Sequence, residues 1–352
     1  MINFKELNNS ISPFSVEAAR LTRDHWNSIA KPIGSLGLLE EALVQIAGLT
    51  GSHRISLEKR AVIVLCADNG VVEEGVTQTD ASVTADMAHN ISSGNASVCC
   101  MAKVANADII TVDIGMNSKV DGVWDKSVAF GTKNMTKRSA MTEQETERAI
   151  LTGIELVKSC KERGYTLIAT GEMGIGNTTT SSAIASVLLD LPVETVTGRG
   201  AGLSDEGMMR KRDAIRRAID TNLPDKNNAF DVLCKLGGFD IAGMAGIFIG
   251  GAIYKIPILI DGVISTVAAF TASLLCPACT DAMIATHVSA EAAAKLLLEK
   301  LGKKPMLYAQ MRLGEGTGAV AAMPLLDMAL CVYNNMLSFT DAGIVPYEVM
   351  EQ

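Results

Sequence analysis

Aromatic side chains are scarce in this chain of 352 residues: Phe, Trp and Tyr together make up 4%, and only two are Trp. That excludes a single-strand-binding surface of stacked rings and leaves the core to small and aliphatic residues. A surplus of positive charge is also missing, since 31 Lys and Arg face 39 Asp and Glu for a net charge of −8. Recognition of nucleic acid or an anionic membrane needs such a surplus, so neither is expected as a partner. Histidine is rare, and His25, His53, His89 and His287 are isolated from one another. The eight cysteines lack the spacing of a disulfide framework. Cys276-Pro277-Ala278-Cys279 has no second ligand pair to complete a metal site, so Cys276 and Cys279 are expected to be buried structural thiols. The apolar stretches are interrupted by Asp, Lys, Pro or several Gly, and none reads as a membrane span. The start, Met1 to Glu6, lacks a basic segment followed by an apolar one, and a cytosolic protein is expected.

What is present is a repeating pattern. Short β-branched or apolar runs end in polar, Gly-containing loops: Ala61–Ala67 before Asp68-Asn69-Gly70, Ala107–Ile114 before Gly115, Tyr165–Ala169 before Gly171–Gly176, and Ile256–Ile260 before Asp261-Gly262. Pro305–Tyr308 reads as a fifth such run, leading into Arg312–Gly316. Continuous apolar strands alternating with helices predict an α/β fold, a doubly wound, mostly parallel, Rossmann-like sheet covered on both faces. Ligands of such sheets sit at the carboxyl ends of the strands, where these loops fall. Several helix starts are also legible: Ser15, Ser35, Ser204 and Ser289 as N-caps, and Thr142 with Glu145 as a capping box. Residues 1–60 are expected to form mainly a small helical domain, completed by C-terminal residues, and residues 61–352 a large α/β domain. The Gly238–Gly251 stretch reads as a buried helix whose small residues allow close packing.

Four loops carry chemistry. Gly171-Glu172-Met173-Gly174-Ile175-Gly176-Asn177-Thr178-Thr179 joins a strand to a helix, where converging backbone amides and the helix dipole form an anion site. Gly171 and Gly176 have P-loop spacing, but Asn177 stands where the lysine would be, which favours a single phosphate over a triphosphate. Gly198-Arg199-Gly200-Ala201-Gly202 opens a second helix. Asp261-Gly262 offers one acid where a diphosphate-dependent ribosyltransferase needs adjacent acids to hold magnesium, so that class is disfavoured and no metal is expected. Arg312-Leu313-Gly314-Glu315-Gly316-Thr317-Gly318 places an acid between two glycines at a strand-to-helix junction. A carboxylate there can take a proton from an attacking group, or it can simply favour a helix N-terminus.

Taken with Lys31-Pro32-Ile33-Gly34-Ser35-Leu36-Gly37 and Gly238-Phe239-Asp240, these segments occur in an order that resembles the nicotinate-nucleotide:dimethylbenzimidazole phosphoribosyltransferase family, over nearly the whole chain. The resemblance implies transfer of ribose 5-phosphate from nicotinate mononucleotide to an aromatic acceptor, a benzimidazole or a phenol. The product would be an α-ribotide for cobamide synthesis, made without a cofactor. It implies Glu315 as general base and Glu172 as a second acidic group. It places Lys211, Gly174, Gly176, Asn177, Gly200, Ala201, Gly202, Asp261, Gly262, Ser289, Arg312, Leu313 and Gly314 on the substrates. Thr77, Gln78, Asp86 and Met173 would form the acceptor pocket. A homodimer, or a heterodimer with a paralogue, is the implied assembly.

Departures from the family's pattern cluster in one segment: Asn69 where it commonly has His, Thr77 where it has Ser, Asp86 where it has Gln, and Gly94-Asn95-Ala96-Ser97 where it has G-G-A-A. They bear on the acceptor and not on the donor. Two other readings stay open on the residues alone: a nucleotide-dependent oxidoreductase on the same fold, and a non-catalytic paralogue that completes a partner's site.

Overall fold

The structure, a computed structural model, describes residues 2–347. Six strands form one parallel sheet in the order β3-β2-β1-β4-β5-β6. They are β1 (Arg60–Ala67), β2 (Ala107–Gly115), β3 (Trp124–Asp125), β4 (Leu167–Met173), β5 (Ile258–Ile260) and β6 (Met283–Ala285). β1 pairs in parallel with β2 on one side and β4 on the other, so the winding reverses between β1 and β4. All eight residues of β1 are buried, as a strand covered on both faces requires. Its side chains alternate between two cores. Ala61, Ile63 and Leu65 join the cluster under the helix Phe239–Tyr254, while Val62, Val64 and Cys66 join the cluster under Thr317–Asn335. This is the expected doubly wound α/β architecture.

The N-terminal helices Val16–Ser28 and Leu38–Thr50 pack on each other, and the second also packs against Thr317–Asn335. Trp26, Leu43 and Ile46 share a core cluster with Val62 and Val64. C-terminal residues help to hold this layer: His25 Nε2 lies 2.7 Å from the Tyr333 carbonyl, and the Ala30 amide donates to Leu337. Lys31 is spent here, in a buried 2.6 Å ion pair with Glu40 beside the Trp26 ring.

Ser15, Ser204 and the Thr142–Glu145 capping box cap their helices as expected. Ser35 does not: Gly37, at φ +55°, occupies the N-cap of Leu38–Thr50. The helix after Ser289 starts only at Ala294, which frees the Ser289 side chain to accept the Glu291 amide instead. Pro305–Tyr308 is not a strand. Proline has no N–H to give, and the amides of Met306 and Leu307 both converge on the Thr286 carbonyl, leaving a single bridge to His287. β3 and β6, of two and three residues, are too short to carry a periodic signal. One described helix, Thr317–Asn335, is long and apolar enough to cross a membrane; half of it is buried in the protein, and its Asp327 pairs with Arg60.

Candidate functional site

A cavity of about 350 Å³ opens at the carboxyl ends of β4, β5 and β6. β4 runs further than its sequence suggests, through Gly171, Glu172 and Met173, so Glu172 is a strand residue. Gly171 is needed there for close approach: a Cβ would sit 2.5 Å from the Glu315 carbonyl oxygen. Three helices then start at the cavity with glycine N-caps: Asn177–Leu189 after Gly176, Val263–Leu275 after Gly262, and Thr317–Asn335 after Gly316. In the last, Asp261 Oδ1 accepts from the Gly318 and Ala319 amides at 2.8 and 3.0 Å. Such starts favour negative charge.

Glu315 stands at φ +61° between Gly314 at +90° and Gly316 at +93°. A left-handed run of three residues, one with a side chain, is a strained turn of the kind found at functional sites. It turns Glu315 inward: the residue is buried, and its Oε2 accepts the Val98 amide at 3.0 Å in the first turn of the helix Ser97–Val104. Glu172 lies across the same loop, its Oε1 2.6 Å from where a Gly314 Cβ would be. Burial first, then Asp240, pushes the Glu172 carboxyl up to about 8, against a hydrogen bond from Asn177. Burial also raises Asp261, opposed by His287 and by backbone amides. His287 in turn is lowered by burial, with Asp261 opposing.

Most of the residues expected from sequence come together here. Glu172, Met173, Gly174, Gly176, Asn177, Gly200, Ala201, Asp261, Gly262, Ser289, Arg312, Leu313, Gly314, Glu315, Thr77 and Gln78 all line the cavity. Asp86, Gly202 and Lys211 do not. Asp86 is exposed on the helix Ser82–Ser92, and its neighbour Met87 reaches the cavity instead. The Gly202 carbonyl accepts from Gln78 Nε2. Lys211 is fully buried behind the wall, and its Nζ donates to Thr178 Oγ1 at 2.9 Å and to the Gly198 carbonyl at 3.0 Å. Burial lowers it to about 8, with Glu291 opposing. It therefore fastens one Gly-rich loop to the other.

Sequence reasoning missed His287, Glu291, Arg199 and Met87, which also line the cavity. His287 and Glu291 follow β6, a strand too short to announce itself; Arg199 stood within a recognised loop and could have been named.

The sequence profile of a phosphoribosyltransferase family matches residues 11–344. A nicotinate-nucleotide–dimethylbenzimidazole phosphoribosyltransferase from Ruminiclostridium cellulolyticum is 43% identical over 352 residues, covering 99% of this chain and all of that one. The enzyme of the same name from Acetivibrio thermocellus is 46% identical over 341 residues, covering 96% of this chain and 97% of its own. The crystal structure of CobT from Thermus thermophilus superposes with a TM-score of 0.88 at 37% identity, covering 94% of this chain and 99% of that one.

Proposed function

We propose, for a chain that belongs to the nicotinate-nucleotide–dimethylbenzimidazole phosphoribosyltransferase family, that it transfers ribose 5-phosphate from nicotinate mononucleotide to an aromatic acceptor, with Glu315 as general base. The observation that carries this reading is the pairing of Glu315 with Glu172 across Gly314, inside a cavity bounded by three glycine-capped helix starts.

The donor's phosphate suits the starts of Asn177–Leu189 and Val263–Leu275, since the start of Thr317–Asn335 already gives the Gly318 and Ala319 amides to Asp261. Backbone around Gly174, Gly176, Gly200 and Gly262 and the Ser289 hydroxyl would hold phosphate and ribose, with Arg312, Leu313 and Asp261 along the same wall. Lys211 and Gly202 would shape these contacts from behind. An acceptor atom attacks C1′ of the ribose, and the bond from C1′ to the nicotinate ring breaks with its electron pair passing to the ring nitrogen. The proton on the acceptor passes to Glu315. Because the departing ring is a pyridinium, it becomes neutral as it leaves and needs no metal to stabilise it. The acceptor would lie against Thr77, Gln78, Met173 and Met87, with the product an α-ribotide for cobamide synthesis. A dimer and a cytosolic location belong to the same reading.

Mass spectrometry of products, after incubation of the purified chain with nicotinate mononucleotide and a panel of benzimidazoles, purines and phenols, tests this. A ribotide of at least one acceptor, with release of nicotinate, is expected. No product with any acceptor, while the donor still binds, would point to a paralogue that lost catalysis.

A further inference from the structure

From Glu172 and Asn177 in the cavity wall a buried chain of polar groups runs back to Asp240, which lies behind the wall. Asn177 Nδ2 donates to Glu172 Oε2 and also to Asp240 Oδ2, the latter at 3.0 Å. An amide nitrogen has two hydrogens, so both are spent, one on each acid. Asp240 is fully buried at the start of the helix Phe239–Tyr254 and does not line the cavity. Its Oδ1 accepts the Ile241 amide at 3.0 Å. The three side chains have no slack. A Cβ on Gly174 would lie 2.9 Å from Asp240 Oδ2 and 3.2 Å from Asn177 Nδ2, and one on Gly238 would lie 2.5 Å from Asp240 Oδ1. The same point is 2.5 Å from Asn69 Oδ1, a buried acceptor without a hydrogen-bond partner. Asp240 shares its one side-chain donor, Asn177, with Glu172.

We infer that Asp240 is a positioning residue whose negative charge, one shared amide away from Glu172, holds Glu172 as a neutral carboxylic acid with its O–H turned to the cavity, against the Asn177 N–H that favours the ionised form. The placement of the proton follows from the bonds. Glu172 Oε2 is taken by Asn177, so the hydrogen sits on Oε1, the oxygen facing the Gly314 loop that carries Glu315. Two carboxyls that differ only in surroundings then divide the work: one offers an O–H and the other accepts a proton. The groups that face Glu172 are acids on nearly every side, namely Asp240 from its helix, Asp261 from the end of β5 and Glu315 from its loop, with the Asn177 amide as the opposing donor. Glu172 in turn lies near the buried Cys66 thiol on β1, along with Asp68 and Asp113. Burial lifts the Asp240 carboxyl as well, to about 6. A second negative charge beside Glu315 would oppose the anionic donor that the proposed function calls for, and a neutral Glu172 avoids it; the inference rests on that reading for its purpose but not for its geometry.

Carbon-13 NMR of protein labelled only at the glutamate side-chain carboxyls tests it without any substrate. In the wild type, one resonance, absent from Glu172→Gln, is expected to titrate near pH 8. In Asp240→Asn the same resonance should titrate lower by about one pH unit or more, since a like charge has gone. In Asn177→Ser, which removes the shared donor and leaves both acids, it should not move down; this variant decides the matter should Asp240→Asn fail to fold. The alkaline limb of kcat/KM should follow the same directions, which loss of stability alone would not produce. A Glu172 already ionised at pH 7 in the wild type, or an unmoved titration in Asp240→Asn, overturns the inference. If the wild type forms no ribotide yet the resonance behaves as stated, the proposed function fails and the Asp240–Asn177–Glu172 linkage stands.

Discussion

Glu172 and Glu315 read alike in the sequence, each an acid next to glycine in a motif that opens a helix, yet the fold gives them opposite surroundings. Glu172 is the penultimate residue of β4, held in regular strand geometry among other acids, with an amide side chain as its donor. Glu315 is held in a left-handed turn outside any strand, and its carboxylate takes a backbone amide at the start of a helix. The first setting favours the neutral acid; the second presents an acceptor. Proximity of two carboxyls is therefore not redundancy: the environment separates their chemistry.

Removing Glu315 should break this pairing most severely. Glu315→Gln keeps the size of the side chain and loses its basicity. Turnover should fall by about 10²–10⁴-fold, or roughly 3–5 kcal/mol of barrier, while donor binding stays near normal. The larger loss is expected for a weakly acidic benzimidazole and the smaller for a phenol, part of which ionises unaided. Steady-state kinetics with both acceptor types checks it. If Glu315→Gln turns over normally while Glu172→Gln does not, the two roles are exchanged.

A second comparison uses stability in place of rate. The carboxyl of Glu172 is raised from 4.5 to about 8 by burial and by Asp240. Through that window the folded protein keeps a proton that the unfolded chain releases. Its contribution to stability is complete below pH 4.5 and is lost as pH rises through 8. Glu172→Gln has no such proton, so the variant should gain steadily on the wild type as pH rises from 5 towards 8. The gain is at most about 1.4 kcal/mol for each pH unit crossed. Urea unfolding at a series of pH values across that range measures the difference; a wild type that gains on the variant as pH rises would contradict the assignment.

The proposed donor side can be separated from Glu172 and Glu315 through Lys211. Its Nζ joins Thr178 to Gly198 and does not enter the cavity. Lys211→Met keeps the buried stem and releases both loops. Loss of charge-assisted hydrogen bonds should weaken nicotinate mononucleotide binding by on the order of 1.5–3 kcal/mol, with less effect on the acceptor. Calorimetry reads both. The same titration repeated with a chelator should give an unchanged donor affinity, because the proposed chemistry needs no divalent ion.

These contrasts also mark what the sequence could and could not reveal. The strands β1, β2 and β4 were legible because five or more consecutive buried residues leave an unmistakable apolar run. The Glu315 turn was legible because glycines flank the acid. By contrast, β6 places His287 and Glu291 at the cavity with only three residues of strand, and the end of β4 was hidden because Gly171 and Glu172 look like loop. Asp240 stood in the sequence only as the end of Gly238-Phe239-Asp240, with no role attached to it. Its significance lies in a contact with Asn177 across 63 positions of chain, and nothing local to either residue announces it.

The smallest effect is expected at Asp86, and it sharpens the contrast between the proposed donor and acceptor sides. Asp86 is exposed on the helix Ser82–Ser92, away from the cavity lining, while Met87 and Gln78 line it. A surface substitution clear of caps and networks is worth within about 0.5 kcal/mol, so Asp86→Gln should leave stability and acceptor choice nearly unchanged. Gln78 differs, because its amide both faces the cavity and holds the Gly202 carbonyl. Gln78→Leu removes a polar group from the wall. It should therefore shift preference from a hydroxylated acceptor toward an apolar bicyclic one, by roughly 1–3 kcal/mol at most, the worth of a modest change in an apolar pocket. Competition between a phenol and dimethylbenzimidazole in one reaction, read as the ratio of ribotides formed, compares the two variants directly. If Asp86→Gln moves that ratio and Gln78→Leu does not, the acceptor reaches the cavity from the exposed face of Ser82–Ser92, and the wall formed by Gln78 and Met87 is not where it is recognised.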